Sequence, residues 1–469
     1  MTKTESSLSQ SPRGGHTIGG IVTAASFGFV VVQLDVTIVN VALPAIGRDF
    51  NVGVAELQWV VDAYSLVFAA LLLSAGVLGD RLGSRRAYLA GFWLFAFASL
   101  ACGLAPTGAT LIAARAVQGI GAALLVPSSL ALLNHASGHD AALRARMVGM
   151  WTAAGGVSIA AGPIVGGLLV GWLGWRTIFL VNLPICAFAA LLTLRTVPKD
   201  AAATRGGSLD PLGQVLAILA LTGLVGAVIE ARPLGPTHWV VLGGAAVALL
   251  AGGGFLVVEH RSKAPMLPLQ FFSRPNFGAA TLFGIMVNLT YYGVIFVLSL
   301  YLQQVKHWSA LESGLAYLPL TAGFIASNMA SGAIVARVGS RPPMIIGGLI
   351  GTVGFTLLAL LDADSSYWQM LLPFILIPIG MGFAVPAMTT AILVSVERQA
   401  SGVASAVLNT ARQAAGTVGV AIFGALAAGG DQIVFGLKAS SVISAVLVLG
   451  GAVLAMLFIR KDEPQPSNG

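Results

Sequence analysis

Runs of apolar residues, each long enough to cross a lipid bilayer as a helix, divide almost the whole sequence. A membrane helix needs about 20 such residues at a rise of about 1.5 Å per residue. The sequence therefore predicts fourteen membrane-spanning helices, numbered spans 1 to 14: 17–44, 56–78, 86–105, 108–134, 146–171, 177–195, 209–230, 238–259, 277–304, 310–336, 343–361, 369–394, 403–428 and 438–459. We expect an all-α integral membrane protein.

The composition and the distribution of charge agree with this interpretation. The chain is 57% hydrophobic and 9% charged, whereas soluble proteins are about 25% charged. The net charge of +7 comes from basic residues in short loops rather than on one soluble surface, so we expect no nucleic-acid partner. With the N-terminus in the cytoplasm, 18 of the 25 Lys and Arg residues face inside, 5 face outside and 2 lie within spans. This bias predicts that both termini are cytoplasmic.

One phrase occurs twice in the sequence. GVLGDRLGSRR begins at Gly76 and GAIVARVGSR begins at Gly332, and the two align without a gap. Gly332 lies 256 residues after Gly76 (332 − 76), an offset that places spans 2 and 3 over spans 10 and 11. The repeat predicts two related six-helix halves, spans 1–6 and spans 9–14, with spans 7 and 8 inserted between them. Secondary transporters are built in this way, with the substrate site between the repeats.

The repeat and the spans together predict five segments. They are a disordered cytoplasmic tail at 1–16, the N-terminal six-helix half at 17–195, the inserted spans 7 and 8 with their linkers at 196–276, the C-terminal six-helix half at 277–459 and a cytoplasmic tail at 460–469. We interpret the first apolar run as a permanent span rather than a cleaved signal, because it is too long for a signal-peptide core and contains Asp35.

Ionisable residues inside apolar runs are candidate functional groups, because a charge in the bilayer interior is costly. Asp35 in span 1, Asp62 in span 2 and Arg115 in span 4 lie seven to nine residues from the same end of their spans, so we expect them at one depth. Burial favours the protonated form of a carboxyl group, and a nearby arginine favours the charged form. We predict that these three residues couple transport to protons; a purely structural ion pair or hydrogen bond is the alternative.

The first copy of the repeated phrase contains a predicted conformational latch, formed by Gly76, Asp80, Arg81, Gly83 and Arg85. The glycines permit close helix approach and a tight turn. The Asp80 carboxylate can meet a helix N-terminus or an arginine of a neighbouring span. Simple anchoring by cytoplasmic positive charge explains the arginines but not Asp80. The second copy has Ala336 in its place, so any latch is asymmetric.

Span 5 contains a predicted kink at Gly162, Pro163 and Gly166. The proline removes one backbone hydrogen bond from the helix, and the glycines offer a smooth face for packing or rocking. Other polar side chains within apolar spans are candidates for a substrate cavity, with interhelical hydrogen bonding as the alternative: Gln33, Asn40, Asn288, Tyr291, Tyr292, Asn328, Asn409, Arg412 and Gln413.

Several kinds of site are not indicated by the sequence. Both cysteines, Cys102 and Cys186, lie in apolar spans, so we expect no disulfide framework. The histidines show no metal-ligand spacing, so we expect no metal site. There is no G-x-x-x-x-G-K-[ST] phosphate-binding loop in the sequence. We therefore expect no enzyme activity and no cofactor, with the proton gradient as the energy source.

These motifs resemble those of the major facilitator superfamily, and within it the fourteen-span drug:proton antiporters of the EmrB/QacA type. GVLGDRLGSRR resembles the superfamily's loop signature, RAVQGIGAA with Arg115 the span-4 signature linked to proton coupling, and AAGPIVGG the span-5 signature of exporters. LDVTIVNVALP with Asp35, QWVVDAYSL with Asp62 and WRTIFLVNLP with Asn182 resemble patterns of the fourteen-span group. The resemblance implies the major facilitator fold. Some similar multidrug members carry further acids in C-terminal-half spans; their absence here disfavours dications as substrates.

The sequence thus predicts a proton-coupled exporter that moves a hydrophobic or cationic drug or antibiotic outward by alternating access. A dedicated exporter of a single metabolite, siderophore or self-made antibiotic is the alternative with the same fold. A third hypothesis, a non-transporting membrane sensor, is disfavoured because no run is left for a soluble domain. We expect a bacterial cytoplasmic (inner) membrane protein and, from the resemblance, a monomer.

Overall fold

The computed structural model describes residues 18–138, 140–199, 210–262, 265, 267–397, 401–428 and 432–459. The predicted tails at 1–16 and 460–469 lie outside the described residues, as does most of the linker between spans 6 and 7. The side chain of Asp80 is also outside the described part of the chain.

A helix occupies each predicted span. In order, the helices are Ile18–Phe50, Val54–Leu82, Ser84–Gly103, Gly108–Ser137, Ala141–Leu173, Thr177–Leu180 with Asn182–Thr196, Pro211–Leu234, Trp239–Arg261, Pro275–Leu300, Ala310–Ala316 with Leu318–Val338, Arg341–Leu358, Tyr367–Val394, Ser401–Ala427 and Ile433–Phe458. Within the described residues, 13 of the spans are long and apolar enough to cross a membrane on those criteria alone. The helix of span 13 is the exception, because Asn409, Arg412 and Gln413 lower its hydropathy.

The helices of spans 1 and 10 are among those that depart from the bounds that the sequence predicts. The helix of span 1 continues to Phe50, so Asp35 lies near its middle rather than nine residues from its end. A helix satisfies its own backbone hydrogen bonds and need not stop where the apolar run stops. Span 10 is broken between Ala316 and Leu318, where Pro319 stands in the first turn of the second helix and cannot donate a backbone hydrogen bond.

The same helix pairs pack together in spans 1–6 and in spans 9–14. In the first set, span 1 packs on span 5, span 2 on span 4, and span 3 on spans 4 and 6. In the second set, span 9 packs on span 13, span 10 on span 12, and span 11 on spans 12 and 14. Each pair in the second set is the first-set pair moved by eight spans. The sequence repeat is therefore accompanied by a repeat in packing.

An arginine from each copy of the repeated phrase binds the last helix of its own half, and so joins the half's third and sixth helices. Arg85 Nη2 donates to the carbonyl oxygen of Leu194 at 2.9 Å, in the last turn of span 6. Arg341 Nη2 donates to the carbonyl oxygen of Met456 at 2.6 Å, in the last turn of span 14. The last carbonyls of a helix lack partners inside it and attract positive charge. Arg85 and Arg341 thus make equivalent contacts, each within six spans.

The inserted spans 7 and 8 pack on each other and on one side of the bundle. Gly223 and Gly244 allow the two helices to approach closely, because a Cβ at either position would lie within 3.0 Å of the other residue's carbonyl oxygen. Span 7 also contacts span 2 and span 13, and so touches both halves. Span 8 presents Leu249 and Leu250 outward with nearly four-fifths of each side chain exposed. In a bilayer, that surface faces lipid.

Odd-numbered spans lead away from the face on which span 1 begins, and even-numbered spans return to it. Span 14 therefore ends on the face where span 1 begins. We call this the terminal face, and the opposite side the far face.

Candidate functional site

Asp35 and Arg115 form an ion pair in the interior of spans 1–6. The Nη1 atom of Arg115 lies 2.5 Å from Oδ2 of Asp35. The Asp35 side chain is completely buried and that of Arg115 is 1% exposed. A buried charge is retained at acceptable cost only when it is paired and hydrogen-bonded. The two residues that the sequence predicted as a charge pair are therefore brought together by the fold.

Amide side chains complete the surroundings of the Asp35 carboxylate. Gln118 Nε2 donates to Oδ1 of Asp35 at 2.8 Å, and its Oε1 accepts from Arg115 Nη1 at 2.7 Å. Asn182 Nδ2 donates to the same Oδ1 atom at 3.2 Å. Ser99 Oγ accepts from both amides. Because Gln118 is one helical turn after Arg115, both reach the carboxylate from one face of span 4.

Span 2 holds the other side of the Arg115 guanidinium. Arg115 Nε donates to the carbonyl oxygen of Val60 at 3.0 Å. Its guanidinium carbon lies 4.3 Å from the centre of the Tyr64 ring and 5.7 Å from that of Phe179. An aromatic face attracts a cation most strongly where water is excluded. If Asp35 took up a proton, the carboxylate would lose its charge and its strongest hold on Arg115.

Asp62 lies apart from this cluster. Its side chain is completely buried, and neither carboxyl oxygen has a hydrogen-bond partner among the described residues. Gln58, one turn earlier on the same face of span 2, donates to the carbonyl oxygens of Val420 at 3.0 Å and Ala421 at 2.7 Å. Asp62 is therefore on the side of span 2 that faces span 13, between the two halves.

Contacts between the halves lie toward the far face. Besides Gln58, Gln303 Nε2 of span 9 donates to the carbonyl oxygen of Val41 in span 1 at 2.9 Å. Ser299 donates to the carbonyl oxygen of Asn40 in the same pair of helices. Every one of these residues lies in the far-face half of its span, with Gln303 in the helical turn Tyr301–Val305 that continues span 9. The described cross-half hydrogen bonds therefore seal the far face.

The predicted kink residues of span 5 lie against two other helices. Pro163 is inside a continuous helix. A Cβ at Gly162 would lie 1.9 Å from Thr37 Oγ1, and one at Gly166 would lie 2.8 Å from Ile38, so both glycines permit close packing on span 1. On another side of span 5, Gly314 of span 10 approaches the carbonyl oxygen of Pro163. The smooth face that the sequence predicted serves contacts within the half and between the halves.

The predicted latch residues line the junction of spans 2 and 3. A Cβ at Gly76 would lie 3.7 Å from Pro127, so span 2 runs close to span 4 there. Gly83 joins the two spans at φ 95°, a backbone conformation that favours glycine. Arg81 is in the last turn of span 2, and Arg85 reaches span 6 as described above. These contacts, with spans 4 and 6, all lie within spans 1–6.

The predicted cavity residues divide into three groups. Asn40 and Asn288 are buried, and each donates to the carbonyl oxygen four residues earlier in its own helix. Tyr291 and Tyr292 lie edge to face with ring centres 5.5 Å apart. The remaining residues are partly buried, and their side chains make no hydrogen bond to another described residue: Gln33, Asn328, Asn409, Arg412 and Gln413. This third group has polar groups available for a ligand.

The sequence did not single out several polar residues that the structure places at this site. Gln118 and Ser99 were not identified, although the position of Gln118 three residues after Arg115 was a usable signal. Glu230 was taken for the end of span 7, but the helix continues to Leu234. Its Oε1 accepts from Trp59 Nε1 at 2.9 Å and so joins span 7 to span 2.

A comparison with protein families decides the classification. The model of the Major Facilitator Superfamily matches residues 25–420. The chain belongs to the major facilitator superfamily. The fold is similar to that of a solved structure, a bacterial homologue of the human lysosomal transporter Spinster in an inward-facing and unoccupied conformation. The TM-score is 0.69 over 96% of this chain and 99% of that one, at 17% identity. The predicted fold class, two six-helix halves with two inserted helices, is confirmed.

Curated relatives of this superfamily protein are named for resistance to antibiotics. It is 39% identical over 416 residues to the methylenomycin A resistance protein of Streptomyces coelicolor, covering 88% of this chain and 87% of that one. It is 36% identical to the tetracenomycin C resistance and export protein of Streptomyces glaucescens, covering 86% and 75% of the two chains. The multidrug resistance protein Stp of Mycobacterium tuberculosis is also 36% identical, with the same coverage.

Proposed function

We propose that this protein is a proton-coupled exporter that removes hydrophobic drugs or antibiotics from the cell. The superfamily and the resistance and export functions named for its relatives support export of such compounds. The observation that carries proton coupling is the completely buried Asp35 carboxylate, held by Arg115 in the membrane interior. Ionisable residues inside a membrane are by default functional groups, and proton relays are built from them.

In this proposal, the bond between Asp35 and Arg115 is the point where the proton acts. With Asp35 charged, Arg115 is held between span 1, span 4 and the Val60 carbonyl of span 2. A proton from outside neutralises Asp35, so Arg115 loses its ionic partner and spans 1, 2 and 4 can move relative to one another. Release of the proton to the inside restores the pair. Inward movement of protons is thereby exchanged for outward movement of substrate.

Asp62 is the second carboxyl group of the proposal. It lies between the halves and has no described partner, so its charge state alters the free energy of bringing span 2 against span 13. A buried carboxylate without a partner is costly, whereas a protonated one is far less so. We infer that protonated Asp62 favours the arrangement described here, with the far face sealed.

The conformational change in this proposal is a rocking of spans 1–6 against spans 9–14. The seal at the far face, made by Gln58, Gln303 and Ser299, would break while contacts form near the terminal face. The basic residues of the loops support a cytoplasmic terminal face. The arrangement described here would then be open toward the cytoplasm, in a bacterial cytoplasmic membrane, where it would receive substrate.

A dedicated exporter of a single compound is the second candidate. The names of two relatives favour it, since each refers to one antibiotic, methylenomycin A or tetracenomycin C. The name of the Stp relative favours the broader function. Both candidates require the same coupling residues, so they differ only in how many compounds the protein accepts.

The proposal is tested by a drug-susceptibility panel in an efflux-deficient bacterium. Cells expressing the wild type, Asp35→Asn or Asp49→Asn at matched levels are compared. Asp49→Asn is the control, because it makes the same chemical change in the same helix at an ion pair with Arg176 that is about 40% exposed. We expect Asp35→Asn to abolish resistance and Asp49→Asn to retain it.

Equal resistance in the wild type and Asp35→Asn would refute the coupling role. Resistance to several unrelated compounds would indicate multidrug export. Resistance to one chemical class would favour the dedicated exporter. A wild type that protects against nothing in the panel and releases no compound above the level of empty cells would refute export.

A further inference from the structure

Arg412 is a cation within the membrane region that has no partner among the described residues. Its Nε atom is buried and has no hydrogen bond, and the side chain forms no ion pair with any described residue. Arginine remains charged in proteins and carries only donors. A charge that leaves water is costly unless it is paired. No described acceptor offsets that cost for the buried part of Arg412.

The position of Arg412 is set by glycines of spans 9 and 13. Gly284 of span 9 lies against the Arg412 stem, since a Cβ there would be 3.4 Å from Arg412 Cγ and 3.1 Å from Met388 of span 12. Close crossing of spans 9 and 13 continues at Gly419, where a Cβ would meet the Leu289 carbonyl oxygen at 2.1 Å. Arg412 thus stands where spans 9, 12 and 13 meet.

The ring of Tyr292 lies in the same region. It packs over Gly416, one turn from Arg412 on span 13, with 2.9 Å between Tyr292 Cδ2 and a Cβ placed at Gly416. Tyr292 is therefore on the side of span 13 that carries Arg412, and its hydroxyl can donate a hydrogen bond to a bound molecule.

The nearby acids are engaged elsewhere or do not reach Arg412. Asp35 is bound by Arg115, Gln118 and Asn182. Glu230 accepts from Trp59 on the other side of span 2. Asp62 is without a described partner but makes no ion pair with Arg412. No described side chain thus compensates the positive charge of Arg412, so its donors are available to the acceptor of a bound molecule.

We propose that Arg412, together with the hydroxyl of Tyr292, binds the anionic group of an aromatic substrate between the two halves. The proposal deepens the export function above and rests on it. A guanidinium binds carboxylates with two parallel hydrogen bonds, and the stacked rings of Tyr291 and Phe324, with centres 6.3 Å apart, lie beside the site for an aromatic scaffold. The substrate class this predicts is a hydrophobic carboxylate, in contrast to the cation that the sequence favoured.

The test is calorimetric titration of the purified protein in nanodiscs, with empty nanodiscs as the background. The probes are 2-naphthoate and 2-naphthamide, which share one ring system and differ in charge. We expect the wild type to bind the carboxylate at least about tenfold more tightly, as for a hydrogen bond to a charged group. Arg412→Gln removes this preference and leaves the amide affinity within about twofold. Arg412→Lys retains part of it, because lysine keeps the charge but not the planar fork.

Arg176→Gln is the matched control, because it removes an exposed arginine that pairs with Asp49 and lies outside the proposed site. It should leave both affinities unchanged. Arg412→Glu gives a second, independent measurement: it should abolish carboxylate binding and create binding of 2-naphthylmethylammonium.

Several results would overturn the anion site. They are equal wild-type affinity for the two probes, no binding of naphthoate, or an equal loss of both affinities in a folded Arg412→Gln protein. An equal loss in both Arg412→Gln and Asp62→Asn would instead assign Arg412 to the balance between conformations. Because binding is measured without transport, failure of the site leaves export in the susceptibility panel intact, and failure of export leaves the probe preference measurable.

Discussion

Replacing Gly314 with alanine is expected to open the far face of the bundle. A Cβ at position 314 would lie 2.2 Å from the carbonyl oxygen of Pro163, whereas ordinary van der Waals contact begins at 3.4 Å. The obstacle is helix backbone, so spans 5 and 10 must separate by about 1.2 Å (3.4 − 2.2). Overpacking of this kind costs about 1–3 kcal/mol. In a two-state transporter, that cost shifts the population toward the far-face-open state by about 5- to 150-fold.

The assay is a pulsed spin-label distance measurement across the far face. Labels are attached at Arg48→Cys, near the end of span 1, and Gln304→Cys, near the end of span 9; both positions are exposed and belong to different halves. The native Cys102 and Cys186 are at most 1% exposed and do not compete for the label. In the Gly314→Ala variant, the longer label-to-label distance should become more populated; in the parent protein it should be a minor component.

Gly332→Ala is the matched control for this measurement. It places the same methyl group in the same span at a position where nothing lies within 4 Å. Its distance distribution should equal that of the parent. If Gly314→Ala and Gly332→Ala gave the same distribution, close approach of spans 5 and 10 would not control the far face, and the reasoning would be refuted.

Two further predictions concern the seal and the repeated turn. Gln58→Leu removes both hydrogen bonds to span 13, a loss of about 1–2 kcal/mol. The same label pair should therefore show a population shift of about 5- to 30-fold toward the open far face. An unchanged distance distribution would argue against Gln58 as part of the seal. Gly83→Ala should lower thermal stability in detergent by about 1–3 kcal/mol because φ is 95° there, and a melting temperature equal to that of Gly332→Ala would contradict this.

The apolar runs were enough to predict the fold from the sequence. A helix in lipid must be long and apolar, and its backbone groups must form their hydrogen bonds within the helix. The pairing of Asp35 with Arg115 was also predictable, since two opposite charges inside a membrane stabilise each other. The ends of spans were less predictable. Arg48 and Asp49 end the apolar run of span 1, yet the helix continues through them. A helix forms its backbone hydrogen bonds internally, so it can continue from the membrane into water.

The environment of each polar group could not be predicted from the sequence. Asp35 and Asp62 have the same side chain within apolar runs, yet one has three donors and the other has none described. Whether a carboxylate has donors depends on residues 80 or more positions away that only the fold brings near, as with Asn182. The end of a helix is also hard to predict. Glu230 is a polar residue at the end of an apolar run and so predicts a loop, but the helix continues past it.

The two arginine bonds described in the fold have a consequence for biogenesis. Arg85 binds Leu194 and Arg341 binds Met456, so each half closes without the other, but the second closure needs residues 262 positions later (456 − 194). At about 5–20 residues per second, synthesis of that stretch takes about 13–50 s. Until span 13 has been made, which takes most of this interval, the completed first half presents Gln58 and Asp62 without span 13 against them. The side chains that serve transport in the finished protein are therefore those most in need of protection by the insertion machinery while the chain is being made.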